Sequence, residues 1–171
     1  MKGAVAVLLL FAASASAQTP DFSGTWVLDQ ARSSVTATAG ITGLMASGPP
    51  VTLHITQPAN GTVVIESQIN TAHVRIYKPG KQTSTPAGQG GAVTMTTRWE
   101  GGKLVSEGAL KAANGDTTTV KETVALAADG RALTVVVNTA AAEKASSTLV
   151  YTRIKSVGSC ESWPTPCKRT P

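Results

Sequence analysis

The sequence has few of the side chains on which most active sites depend. Its 171 residues contain two histidines, two cysteines, three Trp, two Tyr and two Phe. No Gly-x-Ser-x-Gly elbow, phosphate-binding loop or His-Glu-x-x-His motif occurs. Neither histidine lies on a segment that places a base beside a nucleophile. We therefore expect a protein that is not an enzyme and has no cofactor.

Charged residues are also sparse, at 15% of the chain, with a formal net charge of +5. Part of the positive surplus lies near the C-terminus, at Arg153, Lys155, Lys168 and Arg169. A nucleic-acid-binding protein is expected to gather Lys and Arg along one face, with aromatics interleaved for single strands. Here the basic residues are scattered, so the sequence predicts no nucleic-acid partner.

Long hydrophobic runs are absent except at the start. Met1-Lys2 precedes the apolar run of residues 4–13, which Ala15-Ser16-Ala17 follows as a small-x-small cleavage signal. This pattern predicts a secretory signal peptide over 1–17, with a buried N-terminal helix as the alternative. The run is too short for a bilayer, so we expect no stable membrane span. The predicted location is the periplasm or the exterior of a bacterium.

The two cysteines, Cys160 and Cys167, stand in CESWPTPC. In an oxidising compartment an even pair favours a disulfide, which here would clasp a tail over 156–171. The alternative is a free or redox-active pair. The spacing is not Cys-x-x-Cys, and no carboxylate joins His54 and His73 by obvious spacing. We therefore predict no metal site.

What the chain does contain is β-strand pattern. Short runs alternate apolar with polar residues, which is typical of strands with one buried face. Compact turn signals separate several of them: Asn60-Gly61, Gly101-Gly102, Asn114-Gly115-Asp116 and Asp129-Gly130. Connections this short predict an antiparallel up-and-down meander. The nine runs are 25–29, 51–57, 62–69, 72–78, 92–99, 103–110, 117–126, 131–138 and 147–155.

A sheet of so many strands leaves unpaired N–H and C=O groups along its two edge strands unless it closes into a barrel. We predict an all-β domain over 18–155, a meander closing into a barrel of about eight strands. The alternatives are an open, strongly curved sheet or a two-sheet sandwich. Of the longer connections, 30–50 would hold a helical turn or cover one barrel mouth. The other, 79–91, is predicted to be a flexible loop.

Several motifs resemble those of exported bacterial lipocalin-like proteins, which belong to the calycin-type barrels. They read DFSGTWVLDQARS, WEGGKLV, TVKETVALAADGRALTV and LVYTR, and cover about half of the chain after the leader. The resemblance implies that Trp26 on the first strand plugs the closed end of a barrel. It also implies that Arg153 on the last strand packs over the indole, where a guanidinium gains cation–π attraction.

The interior of the predicted barrel would be lined by medium-sized aliphatic residues. Among them we place Val51, Val74 and Ile76 inward, which would turn His73, Arg75 and Tyr77 to solvent; the reversed register would bring those three inside. Glu122 shares a face with Val120 and Val124 and needs a partner, for which Arg98 and Arg153 are the candidates. The candidate ligand-binding residues are Trp26, Arg98, Trp99, Glu122, Tyr151 and Arg153.

Two functions remain open at this point. In the first, the barrel is a binding protein for a small, mostly apolar ligand. In the second, side chains fill the barrel, and its outer surface or rim loops contact another protein or the cell envelope, as in an inhibitor. An eight-stranded barrel has room for either arrangement.

Overall fold

The computed structural model describes residues 19–36, 49–68, 72–87, 91–111, 114–140 and 144–154. The predicted signal peptide, the predicted helical turn in 30–50 and the Cys160–Cys167 tail lie outside these residues, apart from the two ends of the 30–50 connection. The described chain forms ten strands and a short 3-10 helix at Gln30–Arg32. The strands are β1 (Gly24–Leu28), β2 (Thr52–Thr56), β3 (Val63–Gln68), β4 (Ala72–Tyr77), β5 (Gln82–Ala87), β6 (Gly91–Glu100), β7 (Lys103–Lys111), β8 (Thr117–Leu126), β9 (Ala132–Ala140) and β10 (Lys144–Ile154).

The strands form one antiparallel sheet in the order β4-β3-β2-β1-β10-β9-β8-β7-β6-β5. The first strand therefore pairs with the last, and Trp26 lies opposite Arg153 in the register. Strands β4 and β5 are the two edges, and Pro79, in the connection between them, forms an isolated bridge with Thr97 of β6. The predicted all-β meander is confirmed, and it forms a nearly closed barrel.

The expected strand number of about eight is wrong, because the described residues form ten. The main omission is β5, which lies within the segment that we predicted to be a flexible loop. Its sequence, QTSTPA, has no large apolar residue and contains Pro86, so it carries no alternation signal. An edge strand tolerates proline, since the missing N–H need not complete a second ladder. Pairing with β6 forms this strand despite its weak sequence pattern.

Inward-facing side chains form one hydrophobic core, which is mainly aliphatic. It confirms the predicted interior lined by medium-sized aliphatic residues, with Val120 and Val124 of β8 facing inward. The largest fully buried side chains are Trp26, Tyr77, Tyr151, Phe22, Leu53, Ile55, Ile65, Met95, Leu104, Leu133 and Leu149.

One predicted face is inverted. Val74 and Ile76 are 36% and 43% exposed, whereas Arg75 and Tyr77 are buried. The register explains this, because Arg75 lies opposite the inward-facing Ile65 of β3. For Arg75 and Tyr77 the reversed register is therefore the correct one; the side chain of His73 is outside the described part of the structure. Val51 is likewise exposed, since it precedes β2 rather than lying within it.

Glycines permit the tight geometry of the meander. Gly61 and Gly130 have φ of 77° and 68°, as the predicted hairpin turns require. Gly108 meets a different constraint, because a Cβ there would lie 1.9 Å from the Thr94 carbonyl oxygen on β6. The close approach of these two strands therefore excludes any side chain at residue 108.

No helix in the described part of the chain is long and apolar enough to cross a membrane.

Candidate ligand site in the barrel interior

Trp26 of β1 belongs to a connected group with Phe22, Trp99 and Arg153, which we call the barrel floor. Trp26 is fully buried, and its indole N–H donates to the Phe22 carbonyl at 3.0 Å. The Arg153 guanidinium lies 4.6 Å from the centre of the Trp26 ring. The predicted packing of arginine over tryptophan is confirmed. It adds cation–π attraction to the burial of the indole.

Two further features complete the barrel floor. The rings of Phe22 and Trp99 contact each other with centroids 5.4 Å apart. Gly24 has φ of 137°, a conformation that favours glycine, and a Cβ there would lie 3.9 Å from the side chains of Arg153 and Trp26. This explains the Gly-x-Trp motif, since a side chain at residue 24 would strain the backbone next to the stacked pair.

Deeper in the interior, four side chains from three strands form a connected group that we call the polar network: Arg75, Tyr77, Met95 and Glu122. Arg75 Nη1 donates to Glu122 Oε2 at 3.2 Å, and Nη2 contacts Met95 Sδ at 3.1 Å. The Tyr77 hydroxyl donates to the other oxygen of Glu122. The Arg75 guanidinium also lies 5.2 Å from the centre of the Tyr77 ring. Strands β4 and β8 are thus linked across the barrel.

Burial and the neighbouring side chains shift the pKa values of Arg75 and Tyr77. Desolvation is the largest effect and lowers the pKa of Arg75, but Glu122 and Tyr77 together outweigh it and the net shift is upward. Desolvation raises the pKa of Tyr77 far above its usual value, and Glu122 raises it further, against an opposing effect of Arg75. At neutral pH the arginine is therefore charged and the tyrosine keeps its proton, so that it can donate to the carboxylate.

A pair of hydroxyls extends the polar surface beside Glu122. Ser106 of β7 lies opposite Glu122 on one side and Thr97 of β6 on the other. The Thr97 and Ser106 hydroxyls are 2.8 Å apart and both residues are buried. The inner wall formed by β6, β7 and β8 therefore carries a row of hydrogen-bonding groups within an aliphatic lining.

The remaining predicted site residues lie in separate places. Tyr151 is fully buried, and its hydroxyl donates to the Pro50 carbonyl at 3.0 Å; desolvation raises its pKa. Arg98, which we expected inside, lies on the outer surface, where it contacts Glu100 and donates to Glu107 at 2.9 Å. The outward direction follows from strand alternation, because the neighbouring Thr97 faces inward.

Glu122 faces the interior as predicted, but its partner is Arg75 rather than Arg98 or Arg153. Sequence reasoning thus missed Arg75, Tyr77 and Met95 as members of the site. The available signal was the demand for a buried counter-ion at Glu122, together with the alternation of polar and apolar residues along β4. No group of three or more His, Cys, Asp or Glu in the described ranges is arranged to hold a metal ion.

Solved structures with similar backbones exist, although no protein family and no curated protein matches the sequence. Apo lipid binding protein 8 (LBP-8) of Caenorhabditis elegans has a TM-score of 0.58 at 14% identity, covering 78% of this chain and 95% of its own. Fatty-acid-binding protein 1 of Echinococcus granulosus has a TM-score of 0.58 at 16% identity, covering 78% and 97%. The REP1-NXSQ fatty acid transporter has a TM-score of 0.56 at 12% identity, covering 79% and 97%.

This chain shares the fold of fatty-acid-binding barrels. At these identities the likeness concerns the backbone alone. It agrees with a calycin-type barrel, and membership of the lipocalins themselves stays a prediction.

Proposed function

We propose that this protein is a non-enzymatic binding protein that holds a small, mostly apolar ligand inside its barrel. The observation that carries the proposal is the polar network, a connected ion pair and tyrosine within a mainly aliphatic interior. A barrel that served only as a packed core would gain little from these groups, because a buried ion pair is often no more stabilising than apolar residues of similar volume. Binding sites combine such an apolar lining with a few placed polar groups.

The similar folds support the same proposal. The three structures above are described as a lipid binding protein, a fatty-acid-binding protein and a fatty acid transporter. In this chain the aliphatic side chains would contact the apolar part of a ligand. The polar network would contact its polar end.

The predicted signal peptide adds a location to the proposal. If residues 1–17 are removed on export, the mature protein begins at Gln18 and works outside the cytoplasm. N-terminal sequencing of the protein from the periplasm or the medium of its host tests this. An intact Met1 in the cytoplasmic fraction would contradict it.

Native mass spectrometry of protein purified from its own host tests binding most directly. We expect a one-to-one complex with a small apolar molecule that denaturing solvent releases. Bare protein in repeated preparations would contradict the proposal and favour the filled barrel that acts through its outer surface.

Two neighbouring valines of β9 provide matched variants. Val137 is fully buried in the interior, whereas Val136 points outward and is half-buried. Val137→Phe adds volume inside the barrel and should abolish the complex, while Val136→Phe adds the same volume outside and should leave it intact. Circular dichroism controls for folding, since overpacking costs about 1–3 kcal/mol. Equal retention of ligand by both variants would place the ligand outside the barrel.

A further inference from the structure

The charge inside the barrel is already balanced. Among the described residues whose side chains face inward, the buried charged ones are Arg75 and Glu122. Glu66 is also buried, but it follows the inward-facing Ile65 on β3 and so lies on the outer face of the sheet. Their side chains are 7% and 1% exposed, and they pair with each other at 3.2 Å. The protein itself therefore supplies the anion that the interior arginine requires.

The two charges also hold further partners within the protein. Glu122 accepts from Arg75 on one oxygen and from Tyr77 on the other. Arg75 directs a second N–H at the sulfur of Met95. A guanidinium has five N–H donors, so Arg75 retains the capacity to donate to an uncharged oxygen. The adjacent Ser106 and Thr97 hydroxyls add further uncharged donors and acceptors.

A ligand carboxylate would meet an unfavourable environment at this position. It would either displace Glu122 from Arg75, leaving a buried carboxylate without its cation, or add a second anion beside the pair. Both arrangements leave net negative charge in a region of low dielectric constant, which is strongly disfavoured. An alcohol, ester or amide adds no charge and leaves the pair intact.

We propose that this barrel selects apolar ligands with an uncharged polar end over the corresponding carboxylates, because Glu122 already occupies the anion position beside Arg75. This inference rests on the proposed function and assigns a ligand class to it. It distinguishes the chain from a barrel whose interior arginine is free to pair with a fatty-acid carboxylate.

Two fluorescent probes with the same chain test the proposal: cis-parinaric acid and the alcohol made by reducing it. Both are titrated into the wild-type protein at pH 8, where a free carboxyl group is ionised. We expect the alcohol to bind at least about tenfold more tightly than the acid. Equal or tighter binding of the acid would overturn the selectivity and leave the proposed function standing. If neither probe binds, both proposals fail.

Two glutamate variants locate the cause. Glu122→Gln removes the internal anion, so the acid should bind at least about tenfold more tightly than it binds wild type. Glu107→Gln removes a paired carboxylate from the outer surface and should change neither affinity. A folded Glu122→Gln protein that binds the alcohol but gains nothing for the acid would overturn the proposal. If Glu122→Gln fails to fold, the wild-type ratio of the two probes decides alone.

Discussion

Two arginine–glutamate pairs lie on opposite faces of the same sheet. Inside the barrel, Arg75 and Glu122 are almost fully buried. Outside, Glu107 pairs with Arg98 at 2.9 Å and with Lys121 at 2.6 Å, and Arg98 and Glu107 are 41% and 39% exposed. Glu122 and Lys121 are consecutive residues of β8, so strand alternation alone sends one to each face.

The same chemistry has different consequences in the two places. Water and salt screen the outer pair, and exposed pairs of this kind contribute about 0–1 kcal/mol. The inner pair is hardly screened, so each of its charges depends on the other. The outer pair contributes little to the stability of the fold. The inner pair determines which charges the interior can accept.

The largest effect is expected when one inner partner is removed. Arg75→Met leaves the Glu122 carboxylate buried without its cation and should lower the free energy of unfolding by about 3–5 kcal/mol. Urea denaturation at neutral pH measures the change. A loss below about 1 kcal/mol would mean that the inner pair behaves like the outer one.

Removing both inner charges should restore stability. The double variant Arg75→Met, Glu122→Leu replaces the pair with apolar side chains and should recover most of the loss, because such replacements are often neutral or stabilising. Comparison of the double variant with Arg75→Met in urea denaturation measures how much of the free energy of unfolding is recovered. If the double variant is as unstable as Arg75→Met, altered side-chain packing, rather than the unpaired charge of Glu122, causes the loss of stability.

The two buried tyrosines allow a hydrogen bond to a charged acceptor to be compared with one to a neutral acceptor. Tyr77 donates to a carboxylate, and Tyr151 donates to the Pro50 carbonyl. Hydrogen bonds to charged groups contribute about 1.5–3 kcal/mol and neutral ones about 0.5–1.5 kcal/mol. Tyr77→Phe should therefore destabilise the protein more than Tyr151→Phe in thermal unfolding. If Tyr151→Phe destabilised the protein more than Tyr77→Phe, the hydrogen bond from Tyr77 to Glu122 would not be the stronger of the two.

The smallest effect is expected at the outer pair, and it depends on pH. Hydrogen bonds from Arg98 and Lys121 lower the pKa of Glu107 from 4.5 to about 2. A lowered pKa stabilises the fold above the unfolded value, so this contribution should disappear as the pH falls from about 4.5 to about 2. Solvent screening keeps it below about 1 kcal/mol.

Denaturation of wild type and Glu107→Gln at several pH values measures this effect. The difference between the two should shrink across that interval and also with added salt. A difference that grows toward low pH would contradict the assignment.

The Trp26–Arg153 pair of the barrel floor could be predicted from sequence because its signals are local and unusual, whereas the Phe22–Trp99 contact was not predicted. Trp26 follows a glycine on a clear first strand, and Arg153 stands in an equally clear last strand. Closure of a meander brings such strands together. The family resemblance supplied the stacking of one side chain on the other, and the structure confirms it.

The inward position of Arg75 and Tyr77 was only one of two alternatives in the sequence, because the face of β4 that turns inward depends on how β4 pairs with β3. Strand β4 alternates Arg75 and Tyr77 with Val74 and Ile76, and hydrophobicity alone puts the aliphatic residues inside. Pairing with β3 and the charge of Glu122 override that preference. Both are tertiary effects that a single strand does not reveal. Strand β5 was missed for a related reason, since its place depends on β6 rather than on its own residues.

The central claim is that a ligand lies inside the barrel against the polar network, and Met95 gives a direct probe of it. The sequence has three methionines, Met1, Met45 and Met95, of which Met1 falls in the predicted leader. In protein labelled with methyl-13C methionine, Met95→Leu identifies the Met95 signal. On addition of 1-hexadecanol, we predict that this signal shifts and shows nuclear Overhauser effects to the alkyl chain. Binding detected by calorimetry with an unchanged Met95 signal would contradict the account.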